Sequence, residues 1–421
     1  MIFAILICIS TGVLVASWFL YRRNIELFLC LLIAINFEFF YLLPRVKGPD
    51  DYKLLLLPIL VVLLFESLIT RKLALGRYGW WLVCFLGISV LGIIVAWVSG
   101  QTLALGIKAA KLLPFVLVYF LVAGREINAE KFIKYFIVMG LAVASIATLQ
   151  YFVQPRVNLF PGLPDDMLTE TRGALRLTMG QFVIAAGAVA AFARYQQKAH
   201  TLFLFASIAL FLETLLIQQT RVFVAAIILS MFVVYMLSHR LTLFRISLYL
   251  ILTGLCLGSW LLFSDVNFGS IDMIKRTSTD IKQRKGSYQG RINAYVHYLQ
   301  ETSKRPITGR GILNFNWEGN SENKLQQRGI HLSDIGVTHF IVQAGLIGLI
   351  WLIYGLFRLW SDVLHFREQL LISSYFIIAT FTLPTLDMLL RRDSLFLFAI
   401  FLGLFSSVIT DGKTDAVIAE A

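Results

Sequence analysis

The sequence predicts an all-α, polytopic transmembrane helical bundle of about 12–14 spans, interrupted by one long polar loop at residues 264–334. Three observations predict this class. Hydrophobic residues make up 58% of the chain and charged residues only 15%. Apolar runs of about 20 residues, the length that crosses the hydrocarbon core of a bilayer, recur from Met1 to Ile409. Basic residues cluster at alternate connections between these runs, which is the pattern of loops kept on the inner side of a membrane.

The apolar runs form two transmembrane parts, residues 1–263 and 335–421, on either side of the long loop, with a short cytoplasmic tail at the C-terminus. The first run is followed by Arg22 and Arg23 without a small-residue cleavage site, so we expect a first span rather than a cleaved signal. The expected spans lie at about residues 2–20, 25–43, 53–70, 80–98, 103–123, 131–153, 177–194, 200–218, 222–238, 244–263, 335–357, 370–386 and 394–410.

The basic clusters orient the predicted spans. Because inner loops are enriched in Lys and Arg, the alternation places the N-terminus and the long loop outside. The long loop is itself basic, but loops of more than about 60 residues cross a membrane largely regardless of their charge. The clusters assigned to the inner side are Arg22/Arg23, Arg71/Lys72/Arg77, Arg125/Lys131/Lys134, Arg194/Lys198, Arg240/Arg245 and Arg358/Arg367.

The charge and motif content argues against several function classes. A net charge of +12 is explained by the inner loops of a membrane protein, so no nucleic-acid partner is predicted. The four cysteines lie singly within apolar runs and the histidines lack zinc-ligand spacing, so neither a metal nor another cofactor is expected. The sequence also lacks the phosphate-binding Gly-rich motif and the Gly-x-Ser-x-Gly elbow of serine hydrolases.

The long loop contains one periodic segment. Ser287 and Gly290 precede apolar residues at helical spacing, and Pro306 ends the pattern. We therefore expect an amphipathic helix that lies near the membrane surface. Arg291 falls in its first turn, where unpaired backbone N–H groups and the helix dipole favour an anion. The apolar residues are Ile292, Tyr295, Val296 and Leu299.

Four arginines expected on the outer side are candidates for phosphate binding, because the guanidinium fork matches phosphate oxygens. Arg221 follows a tight turn between two apolar spans, where snorkelling to the lipid headgroups is the alternative. For Arg291 the alternative is a solvated loop charge. Arg172 and Arg176 flank the start of a span, and positional anchoring explains them about as well as ligand binding does.

Asp334 and His331 are the candidates for a general base. Asp334 stands where the polar loop becomes an apolar helix, so partial burial would suit its carboxylate to accept a proton. The alternative for Asp334 is the N-cap of that helix. His331 is either a second candidate base or a surface histidine.

Four short segments carry a resemblance to a known family. Thr220–Arg221 lies at the outer end of a span, and Gly290–Arg291 opens the loop helix. Arg305–Gly311 contains a Pro-x-x-Gly-x-Gly turn, and Asp334 precedes Gln343–Gly348, which ends in Gly-Leu-Ile-Gly. In order and placement, over about the C-terminal half of the chain, these segments resemble the O-antigen ligase and polymerase superfamily of membrane glycosyltransferases.

The resemblance implies transfer of a glycan from undecaprenyl pyrophosphate to an acceptor glycan, without a metal, at the periplasmic face of the bacterial inner membrane. The family's usual catalytic histidine is replaced at the matching junction by Asp334, with His331 three residues earlier. This departure favours a polymerase of O-antigen or exopolysaccharide repeats over a ligase that transfers glycan to lipid A core. A lipid-linked glycan transporter is the alternative of another class, and it should carry polar or broken helices near the midplane.

The resemblance also implies roles for the candidate residues. Arginines would hold the pyrophosphate and stabilise its charge as it leaves, while Asp334, or else His331, accepts a proton from an acceptor hydroxyl, with inversion at the anomeric carbon. The expected partners are the undecaprenyl-pyrophosphate-linked glycan, the acceptor glycan and the lipid bilayer, with a chain-length regulator as a further candidate. The arginines assigned to pyrophosphate or glycan binding are Arg221, Arg291, Arg172, Arg176 and Arg310.

Overall fold

The computed structural model describes residues 17–43, 55–70, 73–153, 159–162, 168–171, 174–239, 287–320, 332–384 and 392–420, with positions 12, 15, 325 and 386. For residues 168–171, 174–176, 287–289, 333–334, 392 and 410–420 it describes only the main chain. The described elements are α1 (Ile25–Asn36), α2 (Leu56–Ile69), α3 (Gly79–Val98), α4 (Leu103–Ala110), α5 (Val118–Ala123), α6 (Ala129–Val153), a hairpin of β1 (Leu168–Thr171) and β2 (Ala174–Leu177), α7 (Gln181–Lys198), α8 (Thr201–Glu213), α9 (Arg221–Ser238), α10 (Ser287–Ser303), α11 (Val337–His365), α12 (Leu370–Thr382) and α13 (Arg392–Glu420).

The described part of the chain is a helical bundle of the kind found in multi-pass membrane proteins. Five of its helices are long and apolar enough to cross a membrane: α3, α6, α9, α11, and α8 with its π-helical extension to Gln218. The bent pair formed by α4 and the segment Leu113–Ala123 makes a sixth if it counts as one span. α1, α2 and Asp393–Ile409 are shorter apolar helices. The predicted span at 244–263 and most of the one at 2–20 lie outside the described residues.

The bundle has a buried centre and an apolar outer surface. Every residue of α7 from Phe182 to Ala191 is buried, and α6, α8, α9 and α12 pack around it. This segment is rich in Ala and Gly, whose small side chains let helix backbones approach closely. Large apolar side chains cover the outer faces instead, as with Ile350, Ile353 and Phe357 of α11, the last of them 76% exposed. An apolar exterior on this scale fits contact with lipid rather than water.

Side-chain hydrogen bonds fix which helix termini share an end of the bundle. Gln181 Nε2 donates to Thr220 Oγ1 at 2.7 Å, so α7 and α9 start at the same end. The other terminus of α7 meets the start of α12, because Gln197 Nε2 donates to the carbonyl of Glu368 at 3.2 Å. The C-terminus of α12 therefore lies beside the starts of α7 and α9. We call this the loop end.

The opposite end, which we call the basic end, collects ion pairs between helix termini. In each pair, the basic residue belongs to one of the clusters that the sequence assigns to the inner side. Its acidic partner lies on another helix or at another helix terminus. Two of these carboxylates, those of Glu26 and Asp362, are buried. The ion pairs are Arg77–Asp362, Lys131–Glu26 and Arg194–Glu130. The structure thus groups these cations at one end, as their alternation in the sequence predicts.

α3 and α11 are joined along their length. Near the basic end, Arg77 Nη2 lies 2.5 Å from Asp362 Oδ1, and Tyr78 Oη donates to Asp362 Oδ2 at 2.6 Å. Further along, the rings of Trp81 and Trp351 stack with centroids 4.6 Å apart. Each indole N–H donates to the main-chain carbonyl of the other tryptophan, at 3.0 and 2.7 Å. These paired contacts set the register of the two helices.

Two predicted spans are broken in the structure. The span predicted at 103–123 bends by 45° after Ala110, and its next turn, Leu113–Leu117, is a 3-10 turn. Pro114 in that turn has no N–H to continue an α-helix. The span predicted from 335 begins at Val337 and breaks at Gly345, whose backbone lies at φ 61° and ψ −151°. Only glycine adopts this conformation readily.

Candidate functional site at the loop end

The predicted loop helix is confirmed as α10, Ser287–Ser303. Its contact with the bundle runs through Ala294 and Tyr298, which are buried in a small apolar cluster with residues that precede and begin α11. Of the four apolar residues that the sequence pattern picks out, Tyr295 packs against this cluster and the other three are exposed. The cluster residues are Ala294, Tyr298, Leu325, Leu332, Ile335 and Val342, and the exposed ones are Ile292, Val296 and Leu299.

Arg291 lies one turn before Tyr295 on α10 and is half-buried. Its Nε is buried and makes no hydrogen bond within the described part of the chain. Tyr295 ties this turn to the loop end of α12, because its Oη donates to the carbonyl of Pro384 at 2.7 Å. Burial raises the pKa of Tyr295, whereas a hydrogen bond with Thr338 and the nearby charge of Arg291 lower it. Arg291 therefore stands at the start of a helix that is docked onto the loop end.

The Pro-x-x-Gly-x-Gly turn fills the break in α11. Above the break, the N–H groups of Arg310 and Gly311 donate to the carbonyls of residues 342 and 343, at 2.9 and 3.1 Å. Below it, the N–H groups of residues 346 and 347 donate to the carbonyls of Pro306 and Ile307, at 2.8 and 3.2 Å. The turn thus satisfies four main-chain groups that a break in a helix leaves without their usual partners.

Arg310 is brought next to α10 by this docking. Its guanidinium carbon lies 5.3 Å from the ring centroid of Tyr298, a cation–π geometry. Tyr298 belongs to α10 and is fully buried in the apolar cluster between α10 and α11. Arg310 and α10 therefore form one unit at the loop end.

Arg221 is the first residue of α9 and lies at the same end. The turn before it is held by the bond from Gln181 to Thr220 and by a π-helical segment, Thr214–Gln218. Gln218 donates to the buried carboxylate of Glu213 through Nε2 at 2.8 Å. The main chain of β2, which includes Arg176, packs against this π-helical segment.

α12 connects the arginine of α9 with the loop helix. The C-terminus of α12 lies at the loop end, where the carbonyl of Leu383 accepts from the N–H of Val337 at 2.9 Å. The next residue, Pro384, binds Tyr295 of α10. Arg221, Arg291 and Arg310, which come from three separate elements, are thus gathered at one end of the bundle.

The candidate bases are only partly described. Asp334 lies in a 3-10 turn, Leu332–Ile335. Only the main chain of Asp334 is described. The N-cap of α11 is Gly336, so the interpretation of Asp334 as that N-cap is wrong. Gly336 has φ 53° and lies so close to Leu383 that a Cβ would stand 2.3 Å from its carbonyl oxygen. His331 and Arg172 lie outside the described residues.

Two groups of polar residues at the loop end were missed by sequence reasoning. Glu213 and Gln218 had a usable signal, since an acidic residue inside an apolar run is uncommon. The amides of Gln101, Asn314 and Asn320 had none. Gln101 Oε1 accepts from the N–H of Asn314 at 2.6 Å, and Asn320 Nδ2 donates to the carbonyl of Asn314 at 3.1 Å. These bonds hold the chain after the turn against the start of α4.

The chemistry available at the loop end is that of anion binding by arginines. Guanidinium groups hold phosphate oxygens in paired hydrogen bonds and supply positive charge without a metal. Among the residues that the structure describes, no three His, Cys, Asp or Glu side chains are grouped as metal ligands.

Comparison with known proteins adds no family assignment. No protein-family model matches the chain, and no curated protein matches it.

Proposed function

We propose that this chain is a membrane glycosyltransferase that polymerises undecaprenyl-pyrophosphate-linked oligosaccharide repeats at the periplasmic face of the bacterial inner membrane. The observation that carries the proposal is the gathering of Arg221, Arg291 and Arg310, from three elements, at one end of an apolar bundle. A lipid-linked pyrophosphate presents its charge at such a border while its tail stays among apolar helices. Arginines there can neutralise the leaving pyrophosphate.

The proposed mechanism is a direct displacement at the anomeric carbon. Arg221 and Arg291 hold the pyrophosphate, and Arg310 adds positive charge from the docked turn. Asp334, or alternatively His331, accepts the proton of the acceptor hydroxyl, which then attacks the donor sugar with inversion. The pyrophosphate leaves on its lipid carrier.

Substitution of Arg291 tests the anion site. In a chain-extension assay with the purified protein and a lipid-pyrophosphate-linked repeat, Arg291→Ala is expected to lower the rate by about 100-fold, since one transition-state donor is worth about that much. Arg291→Lys should recover only part of the rate, because lysine keeps the charge but loses the paired hydrogen bonds.

Lys304→Ala is the matched control. Lys304 follows the same helix, is 73% exposed and pairs with Glu301. Its removal takes one positive charge from the loop but leaves Arg221, Arg291 and Arg310 in place. We expect an unchanged rate. Equal losses in Arg291→Ala and Lys304→Ala would reduce the role of Arg291 to general loop charge.

Substitution of Asp334 tests the base. Asp334→Asn keeps the size of the side chain but cannot accept the proton, so chain extension should be abolished while the protein is still inserted at normal levels. His331→Gln, measured alongside, distinguishes the second candidate. Normal chain lengths in Asp334→Asn would remove Asp334 from the mechanism.

A gene deletion separates polymerase from ligase by product. Loss of a polymerase should leave single repeats on lipid A core, whereas loss of a ligase should accumulate polymer on undecaprenyl pyrophosphate. Complementation with Arg221→Ala or Arg291→Ala should reproduce the deletion product. Wild-type chain lengths in both variants would contradict the glycosyltransferase proposal.

A lipid-linked glycan transporter is the second candidate, because two apolar helices are interrupted, at Gly345 and after Ala110. Interrupted helices often line transport sites. At Gly345, however, the freed main-chain groups bind the docked turn, which favours a structural role for the break. Full export of glycan by a variant that lacks α10 would favour the transporter.

A further inference from the structure

The Pro306–Ile312 turn meets α3 well before that helix ends. The N–H of Ile312 donates to the carbonyl of Gly92 at 3.0 Å, and a Cβ on Gly311 would lie 2.5 Å from the same carbonyl oxygen. Six apolar residues, Ile93–Val98, continue beyond Gly92 towards the loop end. At 1.5 Å per residue they extend the helix by about 9 Å. The turn therefore lies below the apolar tip of α3.

The contact with α11 gives the same depth independently. The ion pair of Arg77 with Asp362 sets a common level for the two helices near the basic end. Arg77 lies two residues before α3 begins at Gly79. Thirteen residues of α3 lead from Gly79 to Gly92, and fifteen residues of α11 lead from Asp362 back to Ile347, so the turn lies about 20 Å from the level of the ion pair on both helices. The hydrocarbon core of a bilayer is about 30 Å thick. If the ion pair stands at the inner border of that core, the turn lies within the core, below its outer border.

The main chain of the turn is equipped for this position. Irregular backbone is tolerated at membrane depth only where its polar groups find partners within the protein. Here the carbonyls of Pro306 and Ile307 accept from α11, and the N–H groups of Arg310, Gly311 and Ile312 donate to α11 and α3. The break at Gly345 supplies four of these five partners.

The side chain at the apex is apolar and exposed. Ile307 is 62% exposed and is bonded through its carbonyl to Ile347, beside the outward-facing Leu346 and Ile350 of α11. Arg305, at the entrance of the turn, stays at the border, where its Nη1 donates to Ser99 Oγ just past the end of α3. The chain therefore dips from a polar entrance to an apolar apex.

We propose that the Pro306–Ile312 turn is a re-entrant membrane element whose apex, Ile307, contacts the acyl chains of the bilayer. The turn anchors the long loop from below the membrane surface rather than from the water side. It also fixes Arg310, whose N–H binds the carbonyl of Val342 and whose guanidinium lies against the ring of Tyr298. The proposal concerns placement alone and stands whether or not the chain is a glycosyltransferase.

Depth-dependent quenching tests the placement. In a variant without native cysteines, Ile307→Cys, Ile350→Cys and Glu318→Cys are each labelled with an environment-sensitive fluorophore, and the full chain is placed in lipid vesicles. Spin-labelled acyl chains should quench the probes at 307 and 350, with the shallow spin label more effective at 307 and the mid-chain label more effective at 350. Aqueous iodide should quench only the probe at 318.

Two outcomes would overturn the proposal. Quenching by iodide at 307 as strong as at 318 would put the turn in water. Quenching by neither agent at 307 would mean that protein, such as a second copy of the chain, covers the apex. Each labelled variant should elute from size-exclusion chromatography as a single peak, which controls for misfolding. The quenching does not depend on any glycan product, so it tests the placement separately from the proposed function.

Discussion

Single glycines decide how the loop docks onto the bundle. Gly345 stands at the break of α11 with a positive φ, and a Cβ there would lie 2.5 Å from the N–H nitrogen of Gly309 and from the carbonyl oxygen of Ile307. Gly309, with φ 67°, faces the carbonyls of residues 342 and 343 equally closely. Main-chain atoms cannot move aside as a side chain does. The turn and the break can therefore meet only if both positions lack a side chain.

Gly345→Ala should separate the turn from α11. The strained backbone alone costs about 1–3 kcal/mol, and the collision with the turn adds to it, so we expect a loss of at least about 2 kcal/mol in thermal unfolding in detergent. Gly87→Ala on α3 is the control, because the added Cβ would have no described atom within 4 Å apart from the neighbouring backbone of its own helix. It should change stability by less than about 1 kcal/mol. Similar behaviour of the two variants would contradict the docking geometry.

At the scale of elements, α3 and α11 act as the frame of the loop end. The ion pair of Arg77 with Asp362 closes them at the basic end, the stacked tryptophans join them further along, and the turn is wedged between them at the loop end. Asp362 is 4% exposed at its side chain and Arg77 is 28% exposed. The carboxylate of Asp362 is thus the more deeply buried partner. Removing Arg77 should therefore lower the stability more than removing the carboxylate.

The ion pair predicts an order of stabilities. Arg77→Gln leaves a buried carboxylate without its cation and should destabilise the protein by about 3–5 kcal/mol. Asp362→Asn leaves a cation that water can reach and should cost less. The double variant should be more stable than Arg77→Gln alone, because it removes the uncompensated charge. Thermal unfolding of the three variants gives the order of their stabilities. A double variant less stable than Arg77→Gln would contradict the prediction.

At the scale of the whole molecule, the bundle is polar at its two ends in different ways. The basic end pairs its cations with carboxylates of neighbouring helices, as Lys131 does with Glu26. The loop end holds Arg221, Arg291 and Arg310 near docked irregular segments. Between the ends lie apolar helices with apolar outer faces. The cations of the basic end are thus paired between helices, whereas the arginines of the loop end lie beside the segments to which we assign ligand binding in the proposed function.

The proposed orientation predicts which end an external reagent reaches. In intact cells, a membrane-impermeant thiol reagent should label Glu318→Cys, which is exposed after the turn, but not Lys198→Cys at the end of α7. The reason is that basic loops are retained on the cytoplasmic side. Permeabilised cells should label both positions. Labelling of only Lys198→Cys in intact cells would reverse the orientation.

Much of the fold could be read from local patterns. The apolar runs predicted most helix positions, and helical spacing after Ser287 predicted α10 close to its observed bounds. The contact face of α10 was not predictable, since Ala294 and Tyr298 are buried by residues that follow far along the chain. The N-cap alternative for Asp334 is excluded because Gly336 caps α11, and the close approach of Gly336 to Leu383 depends on a contact that no local pattern reveals.

The sequence by itself determined that this is a helical, multi-pass chain with its cations grouped by alternate connections, because hydropathy and charge act locally along each run. Only the tertiary structure decided that the arginines of α9, α10 and the turn share one end, and that the turn sits in the break at Gly345. The reason is physical: main-chain groups freed by a break take whatever partners lie nearby in space. Those partners lie about 30 to 40 residues away in the chain, and the turn itself binds Gly92, more than 200 residues away.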